Sequence, residues 1–315
     1  MAILGRSRSG HRPRFSNLRR HYQLYLLAAP ITIYFVVMNY LPMPGLYLAF
    51  TDYKFARGIL GSPFIGLANF TYAFEAGVMG RLLRNTVLYN FAFYVVNLVL
   101  QVGVAVFLTF MHGKYFKKTD QQIILLPHFL SFVFVGTIAY NFLSTDIGLV
   151  NGIIERFGGE PVQFYTNRVV WPFLIIGFNA WKSLGYGSVI YLAALAGISP
   201  ELYESADIDG AGIWQKIRYI TLPGIRATII VLMLFAVGRM LNGQFELFQN
   251  LVGNIGPLYE TTDIIETFVY RQITTTFDIG LGSAMDLFKS LAGFILIFAV
   301  NEITKRASKG EHRLF

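Results

Sequence analysis

The 315-residue sequence contains no cysteine, which excludes disulfides and thiolate metal sites. It is also poor in charge: 14% of its residues are Asp, Glu, Lys or Arg, against about 25% in ordinary soluble domains. With 54% hydrophobic and 16% aromatic residues, it has too little polar surface to cover a soluble globule, so it is read as a membrane protein. Neither a GxxxxGK(S/T) phosphate loop nor an HExxH pair occurs, and His11, His21, His112, His128 and His312 are too scattered for a metal cluster. The chain itself is therefore expected to hold no nucleotide and no metal.

What is present is a series of apolar stretches, at residues 24–41, 85–111, 123–143, 171–196, 225–241 and 279–302. Each is long enough to cross a hydrocarbon core about 30 Å thick, which predicts an all-α polytopic fold with about six transmembrane helices. Pro30 is placed to kink the first, and Pro127 lies near the start of the third. Residues 45–80 read as an interfacial segment, and 144–168 as a polar interval with one short amphipathic helix. The flanks are an arginine-rich arm, 1–20, and a basic tail, 306–315, around one transmembrane domain at 21–305.

The net charge of +8 raises the question of nucleic acid, and placement of the basic residues answers it. Of the 26 Lys and Arg, sixteen fall in the arm, the loop after the second span, the interval that follows the fourth span with Arg226 at its edge, and the tail with Lys305 at its edge; seven fall on the other side. Such an excess marks the cytoplasmic face, so both termini are expected in the cytoplasm and the partner is lipid, not nucleic acid.

The first three spans are uncharged, whereas the last three carry Lys182, Arg239, and Asp286 with Lys289. A lone cation at mid-membrane costs from about 2.5 kcal/mol upward, so these groups are expected to face a pathway or a partner. Two plainer readings stand beside this: an i,i+3 pair of Asp286 and Lys289, and an Arg239 that snorkels outward or pairs with Glu246. Around these charges lie Asn179, Trp181, Tyr186, Asn242, Gln244 and Phe245, a mixture of amides and rings that suits sugars and also suits membrane anchoring. Gly185 and Gly187 would let the fourth span pack closely on a neighbour or interrupt it.

The longest charged interval between apolar regions is 199–223, SPELYESADIDGAGIWQKIRYITLP. Ser199, Pro200 and Glu201 read as an N-cap, a first-turn proline and an acidic first turn. Asp209-Gly210 should end that helix, and Leu222-Pro223 should stop a second one. Glu204-Ser205-Ala206, Asp209-Gly210-Ala211, Ile220 and Leu222-Pro223 stand at the spacing of the EAA motif, and on these residues the chain resembles the membrane subunits of type I binding-protein-dependent ABC importers. Ser205 departs from the motif's first alanine, and Ile217 stands where an aromatic is common. GLANF at 66–70, RNT at 84–86, ILLPHFLS at 124–131 and the run 179–204 extend the resemblance to the polysaccharide- and oligosaccharide-importing branch, alginate importers among them.

The resemblance implies a type I ABC importer permease fold in a bacterial cytoplasmic (inner) membrane, working by alternating access. It implies a sister permease subunit in a heterodimer, an ATP-binding cassette ATPase dimer that carries ATP and Mg, an extracytoplasmic solute-binding protein and an oligosaccharide substrate. Glu204, Ala206, Asp209, Gly210, Ala211, Ile220, Leu222 and Pro223 would then form a cytoplasmic coupling helix, and this chain would be a non-catalytic subunit. Cations in the pathway would suit an acidic oligosaccharide. An ion-gradient-driven sugar transporter is the alternative; it would usually show paired broken helices in two inverted halves.

Overall fold

The structure is a computed structural model that describes residues 22–307 except residue 112; the basic arm and most of the tail lie outside the described residues. Three helical runs are apolar and long enough to cross a membrane alone: Tyr22–Phe50, Val78–Phe110 and Ile279–Glu302. The first comprises α1 (Tyr22–Asn39), with Pro30 inside it, and a 3-10 turn at Met43–Phe50. After α2 (Ala68–Glu75) comes α3 (Val78–Phe110), which begins earlier than its apolar stretch indicated. Gly77, at φ +67°, opens α3, and Met79 and Leu82 are buried with Ile265, Phe268, Leu281 and Met285, so tertiary packing recruits two more helical turns.

The third span is not straight. α4 (Lys114–Phe129) and α5 (Phe132–Leu143) meet at a 95° bend. Leu130 is extended, and Ser131 caps α5 by accepting the Phe134 N–H at 3.2 Å, so the chain restarts a helix here instead of continuing one. α6 (Leu149–Arg156) is the short helix of the polar interval; buried Asn151 fastens it by accepting from the Val162 N–H at 2.8 Å. α7 (Val170–Leu195) turns by 73° into α8 (Pro200–Ile208), and α9 (Ile213–Gly224) turns by 56° into α10 (Arg226–Gly238). Counting each bent pair as one span, the described residues hold up to six. Short helices α11 (Phe245–Leu251), α12 (Tyr259–Thr262) and α13 (Ile265–Arg271) precede α14 (Ile279–Ala307).

Antiparallel α3 and α7 form the axis of the bundle. Near α8, Val102, Ala105 and Val106 bury against Tyr191, Leu195 and Ile225; farther along, Tyr89 and Phe93 bury with Trp171, Ile175 and Phe248. A Cβ on Gly185 would overlap the Ile124 carbonyl, and one on Gly187 the Gln101 amide, so both glycines serve close approach. The interfacial segment folds over α14: Asn69 donates to the carbonyls of Ala49 at 3.0 Å and Thr51 at 3.1 Å, beside Gly280. At that end Asp263, 2% exposed, receives Arg271 at 2.6 Å and the Thr267 hydroxyl at 2.8 Å. None of α1 is buried.

Candidate transport pathway and coupling surface

Residues 199–223 form the expected helix, glycine turn and helix. Gly210, at φ +74°, lets the Ala211 N–H reach the Ala206 carbonyl at 2.8 Å and its own N–H reach the Asp207 carbonyl at 3.1 Å, closing α8 with a left-handed cap. Two local expectations need correction. Ser199 stands at the N-cap position but its hydroxyl makes no cap bond. Leu222-Pro223 does not end the second helix either: a π segment at Ile217–Thr221 runs into Leu222–Gly224, and the chain breaks at Ile225. Proline at the start of the last short segment is tolerated because its missing N–H falls where the widened turn has no regular donor to give.

The two helices are held together from within. The hydroxyls of Tyr203 and fully buried Thr221 lie 3.1 Å apart, the Tyr203 ring packs edge-on against Phe110 at the end of α3, and Lys216 pairs with Asp207. Glu204 and Asp209 are exposed and form no ion pair among the described residues. Ala206, Ala211 and Ile220 are half-buried, while Leu222 and Pro223 are exposed. Ile208 and Trp214 are 87% and 83% exposed, a large apolar investment at the tip of a polar turn.

Between the spans lies a cavity of about 500 Å³, lined by Asn90, Phe93, Tyr94, Asn97 and Gln101 of α3 and by Ala236, Arg239, Asn242, Gly243 and Gln244 around the end of α10. Asn97 donates to Asn179 at 2.9 Å, and Asn179 donates to Gln244 at 2.8 Å, so three segments meet in one amide chain. Arg239 forms no ion pair with Glu246 or with any other described residue, and its guanidinium is left to the cavity. A second space of about 260 Å³ shares Tyr94, Asn97 and Gln101 with the first and extends to Tyr186 and His128, whose rings stack at 4.6 Å and 9°.

Other members of the sequence-derived set lie elsewhere. Trp181 is 39% exposed and meets Phe178, and Phe245 packs on Tyr270 at 4.8 Å; neither lines these cavities. Lys182 turns to the break between α4 and α5, donating to the carbonyls of Pro127, His128 and Leu130. Asp286 and Lys289 form the i,i+3 pair, at 2.9 Å, and Lys289 also reaches Glu266 at 3.5 Å. Glu266 in turn accepts the Gly243 N–H at 2.7 Å, so these charges brace the loop that carries Arg239, Asn242 and Gln244. Asn90, Tyr94, Asn97, Gln101 and His128 were missed. Asn90, Asn97 and Gln101 stand seven and four residues apart, one face of a helix, and that spacing of amides in an uncharged span was the available signal.

An amide-lined space inside a helical bundle, with an exposed helical turn at one end, is the architecture of a membrane permease worked from outside the bundle. The sequence profile of the family described as binding-protein-dependent transport system inner membrane component matches residues 101–309. Protein LplB of Bacillus subtilis is 35% identical over 92% of this chain and 90% of its own length. The polygalacturonan/rhamnogalacturonan transport system permease protein YteP of the same organism is 34% identical over 90% and 88%. A crystal structure of a bacterial ABC transporter involved in import of the acidic polysaccharide alginate matches with a TM-score of 0.83 and 32% identity, over 93% of this chain and 98% of that one. Another, of the alginate transporter in complex with alginate pentasaccharide-bound periplasmic protein, gives 0.84 and 30% over 96% and 100%. The chain belongs to this family: it is a multi-pass permease of a binding-protein-dependent ABC importer, with the type I permease fold. Nothing in these comparisons supports the gradient-driven alternative.

Proposed function

We propose that this permease carries oligosaccharides, acidic ones by preference, across a bacterial cytoplasmic membrane through the amide-lined cavity. The carrying observation is the free guanidinium of Arg239 in a cavity otherwise walled by Asn and Gln amides and by Phe93 and Tyr94. Amides exchange hydrogen bonds with hydroxyls, rings cover the C–H faces of sugars, and a cation without an internal partner attracts a carboxylate. Relatives named for polygalacturonan/rhamnogalacturonan and for alginate fit a uronate-containing substrate.

In this reading the chain is non-catalytic. It pairs with a sister permease, takes substrate from an extracytoplasmic binding protein, and docks α8 and the start of α9, through Glu204, Asp209 and the Ile208 and Trp214 side chains, on an ATPase dimer that holds ATP and Mg. The transmembrane domain spans residues 21–305 with both termini in the cytoplasm, and α8 and α9 are its coupling loop. Uptake of matched uronate and neutral oligosaccharides in vesicles carrying Arg239→Gln tests the charge preference. Uronate uptake should fall about tenfold with neutral uptake within about twofold, as expected for loss of about 1.4 kcal/mol of selective interaction. An equal fall in both would exclude charge recognition at Arg239.

A further inference from the structure

We propose that Lys182 is the pin that holds the third span broken, a positioning residue acting from α7 on the wall of the cavity. Its ammonium is taken up by three carbonyls at the end of α4: His128 at 3.0 Å, Pro127 at 3.4 Å and Leu130. The Phe132 ring, the first residue of α5, lies 4.7 Å away and covers the charge. Lys182 is 9% exposed and forms no ion pair with a described residue, so its close contacts are main-chain oxygens and one aromatic face, with the Glu246 carboxylate acting at longer range.

The need for such a group follows from where the break lies. The last four carbonyls of any helix lack intrahelical donors, and in a bilayer water is not there to supply them. Here a cation provides the donors, at the helix end whose dipole favours positive charge. Without it, those carbonyls are satisfied most cheaply by continuing the helix from α4 into α5. Bent and straightened forms of residues 119–143 are thus two discrete states, and Lys182 selects the bent one.

Two features tie this pin to transport. The break places His128 on Tyr186, in the wall of the 260 Å³ space. Beyond Lys182, α7 runs unbroken to Leu195 and then turns into α8, so movement of α8 reaches the break along one rigid rod. The bend itself does not depend on the cavity being the translocation route; only its consequence for uptake rests on that reading.

The cysteine-free sequence makes a direct test practicable. Spin labels on Gln122→Cys in α4 and Phe142→Cys in α5, both exposed, report the bend by electron–electron distance in the full chain, assembled with its membrane partners in lipid nanodiscs. A rise of 1.5 Å per residue puts the two positions about 20 Å apart when bent and about 30 Å apart when straight. Lys182→Met should move the distribution to the longer distance, and Lys182→Arg, which keeps the donors, should retain the shorter. An unchanged short distance in Lys182→Met overturns the proposal. Should that variant assemble poorly, Lys182→Gln is expected to give both distances, and a single short one overturns it equally. Uronate oligosaccharide uptake by the same variants separates the two readings: lengthening with parental uptake upholds the pin and counts against the cavity as the route.

Discussion

The turn at 199–223 and the cavity are built in opposite ways. The turn is one run of 25 residues, held by a glycine cap, a Tyr203–Thr221 contact and a Lys216–Asp207 pair, all within itself. The cavity draws its wall from α3, α10 and the segment after α10, and its closest bonds, made through Asn179 of α7, join residues 82 and 65 positions apart. A local element keeps its function as long as its own backbone is intact. A dispersed one depends on every element that supplies a wall, so damage to it should register as lost stability as well as lost transport.

The largest effect is expected where the local element has no substitute. Gly210 sits at φ +74°, and proline is locked near −65°, so Gly210→Pro cannot form the cap. Stimulation of ATPase activity by loaded binding protein, in proteoliposomes of the full complex, should fall at least about tenfold, with the thermal midpoint of the transmembrane domain little changed. Parental stimulation would remove the coupling role from this turn.

A smaller effect, of the other kind, is expected in the cavity. Asn179 is 2% exposed, accepts from Asn97 and donates to Gln244. Asn179→Leu leaves two amides short of a partner, at about 1–3 kcal/mol for each group that stays dry. The thermal midpoint should drop measurably, and Asn97→Ala added to it should cost less than Asn97→Ala alone, because the shared bond is already gone. Strict additivity would mean that the amide chain is not a unit, and the contrast with the turn at 199–223 would weaken.

The same contrast explains what could be read beforehand. Capping signals and a Gly at the αL position are local, so the helix, glycine turn and helix at 199–223 were legible, though not the missing Ser199 cap bond or the continuation through Leu222-Pro223. The π segment was not, because no local residue signal in Ile217–Thr221 marks it; its last residue, Thr221, is buried and meets Tyr203, 18 positions earlier. Six apolar stretches were legible by length, but the 95° break in the third was invisible from Pro127 alone. It is the Lys182 ammonium, more than fifty residues away, that makes an ending tolerable there. Lys182 was therefore placed in the pathway, as any lone intramembrane cation would be. Arg239 and Gln244 were found from charge and composition, whereas Asn90, Asn97 and Gln101, in a span without charge, drew no notice.

The smallest effect separates a charge in the wall from a charge behind it. Asp286 is half exposed and holds Lys289 at 2.9 Å, but Lys289 keeps a second partner in Glu266, whose carboxylate fixes the Gly243 N–H. Because Lys289 keeps that second partner, Asp286→Asn should have a small effect on the thermal midpoint and leave oligosaccharide uptake within about twofold. Lys289→Met strands the Glu266 carboxylate, most of it buried, and should cost several times more. If Asp286→Asn instead abolishes uptake while the thermal midpoint holds, the α14 charges belong to the translocation route itself. The cavity would then extend to a fourth element, further dispersed than its present wall.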